Sequence, residues 1–365
     1  MKRVLKIAGI LLLVVLIAVL CYVGYVFGTY SRIEDNQELS VTHGSSGVQT
    51  AEPETDYKIL SWNIGFGAYE EDFGFFMDGG TESRAWSRDR LKKNLDAIGE
   101  TAAAQDADLM LLQEVDFDSD RSYHVDEALK LRTFDGLDVS TDSVFAVNYH
   151  SAYLFYPITQ PHGASNSGLL TTSKLGIRSA VRRSLPVETG VTKLLDLDRC
   201  YSISRVPTDN GKELVIFLLH MSAYGNSDAI REGQIRMLSQ DMQKEYEAGN
   251  YVLCGGDFNH DLKASNDDND DAADYESWAY PFPREELPEH LSFCIDQLSD
   301  TEGNALWNSA RNADMEYIPG ETYTVTLDGF IISDNIECLQ YENVNTGYSY
   351  SDHDPVYMKF KLLDN

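Results

Sequence analysis

Cysteine and positive charge are both scarce in this sequence. Five cysteines in 365 residues, with no CxxC pair, exclude a zinc ribbon and a scaffold built on disulfides. Lysine and arginine number 29 against 59 aspartates and glutamates, a formal charge of −30. That excludes the basic face with which tight, nonspecific nucleic-acid binders meet phosphates, but not an enzyme that touches nucleic acid briefly. No internal repeat of fixed period is present. Apolar residues are not scarce: they make up 43% of the chain, with 24% charged. The chain can therefore bury a real core, as one large domain or two ordinary ones.

One apolar run stands apart. Residues 7–27 (IAGILLLVVLIAVLCYVGYVF) carry no charge and span roughly 30 Å as a helix, the thickness of a bilayer core. Lys2, Arg3 and Lys6 precede the run, and Glu34, Asp35 and Glu38 follow it. The positive-inside bias predicts a cytoplasmic N-terminus (1–6), a transmembrane signal anchor (7–27) and everything else outside the cytoplasmic membrane. A cleaved signal peptide is the competing reading, but the run is long for one and lacks an A-x-A site. Leu20 before Cys21 spoils a lipoprotein signal. Residues 28–56 read as a flexible linker, because 35–56 (DNQELSVTHGSSGVQTAEPETD) hold few large apolar side chains. The region beyond the anchor carries 26 basic and 59 acidic residues, net −33.

Residues 57–365 read as one domain of alternating strands and helices. Strands are predicted at 57–63, 109–113, 144–149, 168–173, 200–206, 214–219, 251–254, 330–332 and 356–360. One helix carries Leu91, Leu95, Ile98 and Ala102 on one face. A second covers 228–247 with Ile235, Leu238, Met242 and Tyr246 inward. This mixture suggests two sheets packed face to face with helices outside. Several apolar runs finish in polar residues: Asn63, Glu114, His220 and the GGDFN of 255–259. Asp328 opens another strand and SDHDPV at 351–356 precedes the last. Six such rims are what a site assembled from strand ends needs.

These segments, WN at 62–63, QEV at 113–115, His220, GGDFN at 255–259, LDGF at 327–330 and SDHDPV at 351–356, resemble the endonuclease/exonuclease/phosphatase superfamily with its DNase I-like fold. The resemblance spans about residues 57 to 362 in the correct order. It implies an α/β fold, a four-layer αββα sandwich of two packed, mainly antiparallel sheets, and hydrolysis of phosphoesters with a divalent metal. In the family pattern Glu114 is the principal metal ligand, with Asn63 and Asp352 close by. Such oxygen ligands suit Mg²⁺, with Mn²⁺ or Ca²⁺ as substitutes, better than Zn²⁺. His353 is the candidate base, since a neutral imidazole can take a proton near neutral pH. Asp328 would orient it. Asp257 would hold or activate water, Asn259 would donate to a phosphate oxygen, and His220 would stabilise the phosphate or protonate the leaving group. Family members differ over the base, so Asp257 and His353 can exchange roles.

Other features compete with plainer readings. Asp257 and Asn259 would also suit an Asx turn. Residues 266–274 (NDDNDDAAD) lack the glycine and glutamate of a calcium loop and read as a solvated acidic loop. Phe73–Met77 would touch lipid, cap the site or join the core. Trp278, Tyr280, Pro281, Phe282 and Pro283 read as a packed surface loop. Arg121, Arg199 and Arg205 read as salt-bridge partners before phosphate ligands. Two histidines set the chain apart from the abasic-site repair branch and beside nucleases, sphingomyelinases and inositol phosphatases. The expected partners are a phosphoester substrate, either nucleic acid or a phospholipid or inositol-phosphate head group, and the membrane through the N-terminal helix. No obligate protein partner is evident. The alternative is a catalytically idle binding module on a membrane stalk, against which the intact polar set argues.

Overall fold

The computed structural model describes residues 1–29, 31–45, 49–134, 137, 141–187, 198–222, 228–263, 279–298 and 307–364. Two seven-stranded sheets are packed as a sandwich. The strand Asp56–Asn63 (β3) shows how the sequence chooses its faces. Tyr57 and Ile59 point into the core shared by both sheets. Leu60 and Trp62 point the other way, toward the helix Arg88–Ala104 (α2). This is the period-two alternation of a strand buried on both sides. Ser87 starts α2 by accepting a hydrogen bond from the Arg90 amide at 3.2 Å. Leu91, Leu95, Ile98 and Ala102 are buried as their spacing predicts. Each contributes on the order of 1.5–3 kcal/mol where a large side chain leaves water completely.

In the first sheet β3 pairs in parallel with Leu109–Asp116 (β4). Its other members are Val41–Thr42 (β2), Asp142–His150 (β5), Asn166–Ser173 (β6), Ile336–Asn343 (β13) and Val356–Leu362 (β14), in the order β13-β14-β3-β4-β6-β5-β2. The second sheet runs Gln37–Leu39 (β1), Ser179–Ser184 (β7), Cys200–Pro207 (β8), Glu213–His220 (β9), Tyr251–Asp257 (β10), Asp328–Ser333 (β12) and Leu291–Phe293 (β11). Here β9 and β10 form the parallel pair. Every other pairing is antiparallel, so both sheets are mixed but mainly antiparallel. The helix Asp228–Glu247 (α3) packs against β10, with Ile235, Leu238 and Met242 buried. The predicted strands and both helices are present.

The segment before β3 departs from expectation. Residues 28–56 were expected as a flexible linker, yet β1 pairs with β7 and β2 with β5, one on the edge of each sheet. Polar side chains fix the same stretch. Arg183 donates to Asp35 at 2.6 Å, and the Ser184 amide donates to the other Asp35 oxygen at 2.8 Å. Composition misled here because an edge strand draws its stability from backbone hydrogen bonds, which need no apolar side chain. The N-terminal helix Lys2–Thr29 (α1) has a mean hydropathy of 3.0 over its best window and is long and apolar enough to cross a membrane. The acidic stretch 266–274 lies outside the described residues, as does Trp278.

Candidate active site

Strand registers bring the chemistry to one edge of the sandwich. Parallel pairing aligns the C-terminal ends of β3 and β4, and those of β9 and β10. His220 stands directly across from Asp257, and Asp257 across from Asp328. Residues Gly255 and Gly256 make this possible. A Cβ on Gly255 would lie 2.7–2.8 Å from Phe330 and from Leu111 of the opposite sheet. At Gly256, φ is +145° and a Cβ would lie 2.1 Å from the Leu219 carbonyl oxygen, a conformation only glycine takes without strain. On β4 the register slips between Leu112 and Val115, and Glu114 has φ of +53°. This is a β-bulge, a device that re-aims a side chain at a strand end.

The polar groups converge on one oxygen. Asp257 Oδ2 accepts from Asn63 Nδ2 at 3.0 Å and lies 3.4 Å from His220 Nε2 and 3.8 Å from His353 Nε2. The other ring nitrogen of His353, Nδ1, is 2.7 Å from Asp328 Oδ2. Asn63 Nδ2 is also 3.5 Å from Glu114 Oε1. Asp257 Oδ1 accepts the Asn259 amide at 2.9 Å, while Asn259 Nδ2 donates to the Met221 carbonyl at 2.9 Å. The Asx turn is therefore present. It fixes one oxygen of Asp257 and leaves the other facing the site.

Burial and charge set the protonation states. Burial pushes the Asp257 carboxyl up to about 7, opposed by the His353 cation and reinforced by Asp328. Burial alone would lower His353, but Asp328 and Asp257 on either side hold it well above the ordinary imidazole value. Burial drives His220 well below that value, with Arg199 and His353 adding to the effect, so its ring is neutral. Asp352 is raised by burial and by the nearby Glu114 charge. A site with this surplus of buried carboxylate is one that a hard cation would stabilise, and its donors are oxygens. Two further buried atoms, Asp328 Oδ1 and His220 Nδ1, have no hydrogen-bond partner among the described residues. The donor set therefore fits a divalent cation. Asp257, Asp328 and His353 also offer ligand atoms within 4.8 Å of one another.

Every candidate named from the sequence stands at this edge. Several supporting residues escaped sequence reasoning. The Ser309 hydroxyl donates to Asp328 Oδ2 at 2.7 Å and accepts the amides of Leu327 and Asp328 at 3.0 Å. The indole of Trp62 donates to the His353 carbonyl at 2.7 Å, and Ser351 donates to the Asn63 carbonyl at 2.7 Å. The WN and SDH motifs could have signalled these last two; Ser309 has no local signature. Arg121 is structural, as its plain reading held. It is buried, forks onto Asp116 at 2.8 and 3.0 Å, and stacks 3.8 Å over Phe66. Arg205 pairs with Glu213 and Glu245. Phe282 is buried against Phe258 and Phe293, as a packed loop requires, while Tyr280 is exposed under Arg231.

A sequence profile of the Endonuclease/Exonuclease/phosphatase family matches residues 60–315. The chain belongs to this family. Its fold is that of an endonuclease/exonuclease/phosphatase protein from Beutenbergia cavernae, 15% identical with a TM-score of 0.55, over 84% of this chain and 72% of that one. ANGEL2, a 2',3'-cyclic phosphatase solved with adenosine-2',3'-vanadate, is 13% identical with a TM-score of 0.56, over 91% and 99% of the two chains. The human Nocturnin catalytic domain, solved with a bound sulfate anion, is 15% identical with a TM-score of 0.52, over 89% and 97%. Comparison with curated proteins gave no match. The family is one of phosphoester hydrolases, and its members use divalent metals.

Proposed function

We propose that this protein is a divalent-metal-dependent phosphodiester hydrolase, held by α1 in the cytoplasmic membrane with its catalytic domain outside. The observation that carries the reaction is the convergence of Asn63, His220 and His353 on a single oxygen of Asp257. Glu114, with Asn63 and Asp352, would hold the cation, which when bound supplies charge relief to the phosphate and polarises it for attack. Asp257, with its carboxyl raised to about 7, takes the proton of the attacking water. His353, flanked by two carboxylates, remains the imidazolium, so of the two exchangeable roles the base falls to Asp257. Asp328 keeps His353 charged and oriented. The neutral ring of His220 and the spare amide hydrogen of Asn259 donate to phosphate oxygens. The water oxygen forms the new bond to phosphorus, the bond to the leaving alcohol breaks, and His353 returns a proton to that alcohol.

The test uses the full chain in detergent micelles with Mg²⁺ and bis-p-nitrophenyl phosphate. Turnover that is abolished by chelator and by Asp257→Asn is the expected result. No turnover with any divalent metal would transfer the chain to the binding-module reading. Single-stranded DNA, duplex DNA, RNA, sphingomyelin and phosphoinositides then divide the substrate classes.

A further inference from the structure

Four of the exposed apolar side chains beyond α1 fall in two neighbouring segments. Among the described residues outside that helix, Ile158, Tyr156 and Met77 are the most exposed large hydrophobics, at 85%, 69% and 62%, and Phe155, at 56%, ranks just behind Tyr280. Phe155, Tyr156 and Ile158 share one loop, and Met77 adjoins it through Phe76. The Tyr156 ring lies 5.8 Å from Phe76, next to Met77, and Phe155 lies 4.9 Å from Tyr153. In a chain with 59 acidic residues, the eleven residues 151–161 (SAYLFYPITQP) hold no charge at all. Single exposed apolar residues need no explanation, but a cluster does, here with Asp78, Glu82 and Arg84 at its rim.

The patch touches the end of the apolar helix. Phe155 packs edge-on to Tyr22 at 5.1 Å. The Tyr22 hydroxyl donates to the Tyr153 carbonyl at 3.1 Å, and the amides of Tyr153 and Phe155 donate to the hydroxyls of Tyr25 and Tyr22 at 3.3 and 3.4 Å. Tyr22 precedes the helix end at Thr29 by seven residues, about 10 Å along the axis. That is the depth of the aromatic belt at a bilayer interface. Loop backbone groups that are bonded to the helix can enter that zone without the cost of unpaired amides.

The same registers that build the catalytic site place this patch beside it. His150 pairs with Asn166, and Asp116 with Ser167, so residues 151–165 leave the sandwich at the edge where β4 presents Glu114. The juxtamembrane residues dock at that edge on both sheets. Ser31 meets His150 at 3.2 Å, Arg32 meets Asp198 at 3.7 Å, and Asp35 binds Arg183 and Ser184. Ser184 pairs with Cys200, and Tyr201 with Leu219, which puts these contacts at the His220 end of β9. Strand spacing puts β8 and β7 only about 5 and 10 Å from β9.

We infer that residues 151–161 with Met77 form a second membrane contact, which holds the catalytic edge against the same bilayer that α1 crosses, so that the substrate is a phosphodiester in a lipid head group. This rests on the anchored-hydrolase reading above and adds an orientation and a substrate class to it. Ser31, Arg32 and Asp35 are bonded to the domain within six residues of the helix end at Thr29.

The test labels cysteine with an environment-sensitive fluorophore in the full chain, reconstituted in phosphatidylcholine vesicles with spin-labelled lipid. Cys21 is exposed and the other four cysteines are buried, so the unmodified chain reports the anchor. Ile158→Cys in a Cys21→Ser background reports the loop. Quenching of both is expected. Quenching at Cys21 alone overturns the second contact and leaves the anchor standing; quenching at neither overturns both. The catalytic arm compares vesicles containing sphingomyelin or a phosphoinositide with soluble bis-p-nitrophenyl phosphate. Phe155→Ser with Ile158→Ser is expected to lower vesicle turnover at least about tenfold and leave the soluble diester unchanged. Equal losses on both substrates, no loss on vesicles, or DNA cleavage without lipid turnover would each overturn the inference. Absence of soluble-diester turnover in the unmodified chain would instead remove the hydrolase reading beneath it.

Discussion

Asp328→Asn exchanges one oxygen of the site for nitrogen and removes one charge at its centre. Asp257, Asp328 and His353 offer ligand atoms within 4.8 Å of one another. Two unit charges at that separation interact by roughly 3.5 kcal/mol at an effective dielectric near 20. This corresponds to about 2.5 pH units at ~1.36 kcal/mol per unit. Residual screening reduces it, so a shift of at least about one unit is expected. The sign follows from the neighbours. The Asp328 charge raises both Asp257 and His353, so its loss lowers both. Activity that needs Asp257 ionised and His353 charged has a bell-shaped profile, with its acidic limb near the raised Asp257 value of about 7. Both limbs should therefore move to lower pH in the variant. The maximal rate should fall by ~10²–10⁴, the range for general-base effects and for loss of a triad carboxylate. Were neutral His353 the base, the parent profile would instead rise through one limb well above the usual imidazole range. The assay is kcat/KM against pH on folded protein, with circular dichroism as the check on folding. An unmoved acidic limb at near-normal rate would show that Asp328 only caps its strand, and would sink the coupled site.

Three other outcomes are expected. Glu114→Gln removes a carboxylate charge at nearly constant size and should weaken apparent Mg²⁺ affinity or activity at least about tenfold; full activity of the parent in excess chelator refutes the metal assignment. Asp257→Asn should stabilise the cation-free protein. The parent carboxyl is raised from 3.8 to about 7, so its stability contribution is complete below pH 3.8 and is lost as pH rises through 7. The loss is on the order of 4 kcal/mol at most, and the variant's gain in Tm should appear at pH 8 and vanish near pH 4. Arg121→Ala should cost about 3–5 kcal/mol by leaving buried Asp116 unpaired, read by denaturant unfolding; a normal global stability with lost phosphate affinity would instead make Arg121 a substrate ligand.

The fold was legible where apolar runs are continuous. Strands such as LMLLQ in β4 and YVLC in β10 lie in the middle of their sheets and are buried on both faces. Burial on both faces demands uninterrupted apolar residues, and this is visible in one sequence. Edge strands make no such demand. QEL in β1 and VT in β2 are held by backbone pairing to β7 and β5, so their composition reads as tether. The strand SAVRRS is hidden for a related reason. Two arginines belong to it, and Arg182 is buried by donating to the Val147 and Asp198 carbonyls at 2.8 Å. Nothing in the local pattern distinguishes such an arginine from a solvated one. The Phe73–Met77 loop meets the core reading in part. Phe73 and Phe75 pack on Phe66 in the core, while Met77 faces solvent.

The candidate site was legible because its residues end strands, and strand ends are marked by a change from apolar to polar. That rule finds Asn63, Glu114, His220, Asp257 and Asp328 one at a time, but not the pairings that give them chemistry. Whether Asp257 faces His220 depends on parallel registry between strand ends 37 residues apart, and its Asp328 neighbour comes 71 positions later. Registry also explains Ser309, which no motif announces. Two carboxylates directly across an antiparallel pair repel each other. Here that pair is Asp257 and Asp328, and the repulsion is relieved from both sides. His353 stands between them, and the Ser309 hydroxyl donates to Asp328 while its oxygen accepts two backbone amides. A serine in this position reaches His353 only through Asp328. Ser309→Ala should therefore shift the pH profile in the opposite sense to Asp328→Asn. With one donor gone, the Asp328 charge is less satisfied and attracts the His353 proton more strongly, so the alkaline limb should move up. A downward shift, or none, would show that the hydroxyl serves the turn at Leu327 and leaves the dyad untouched.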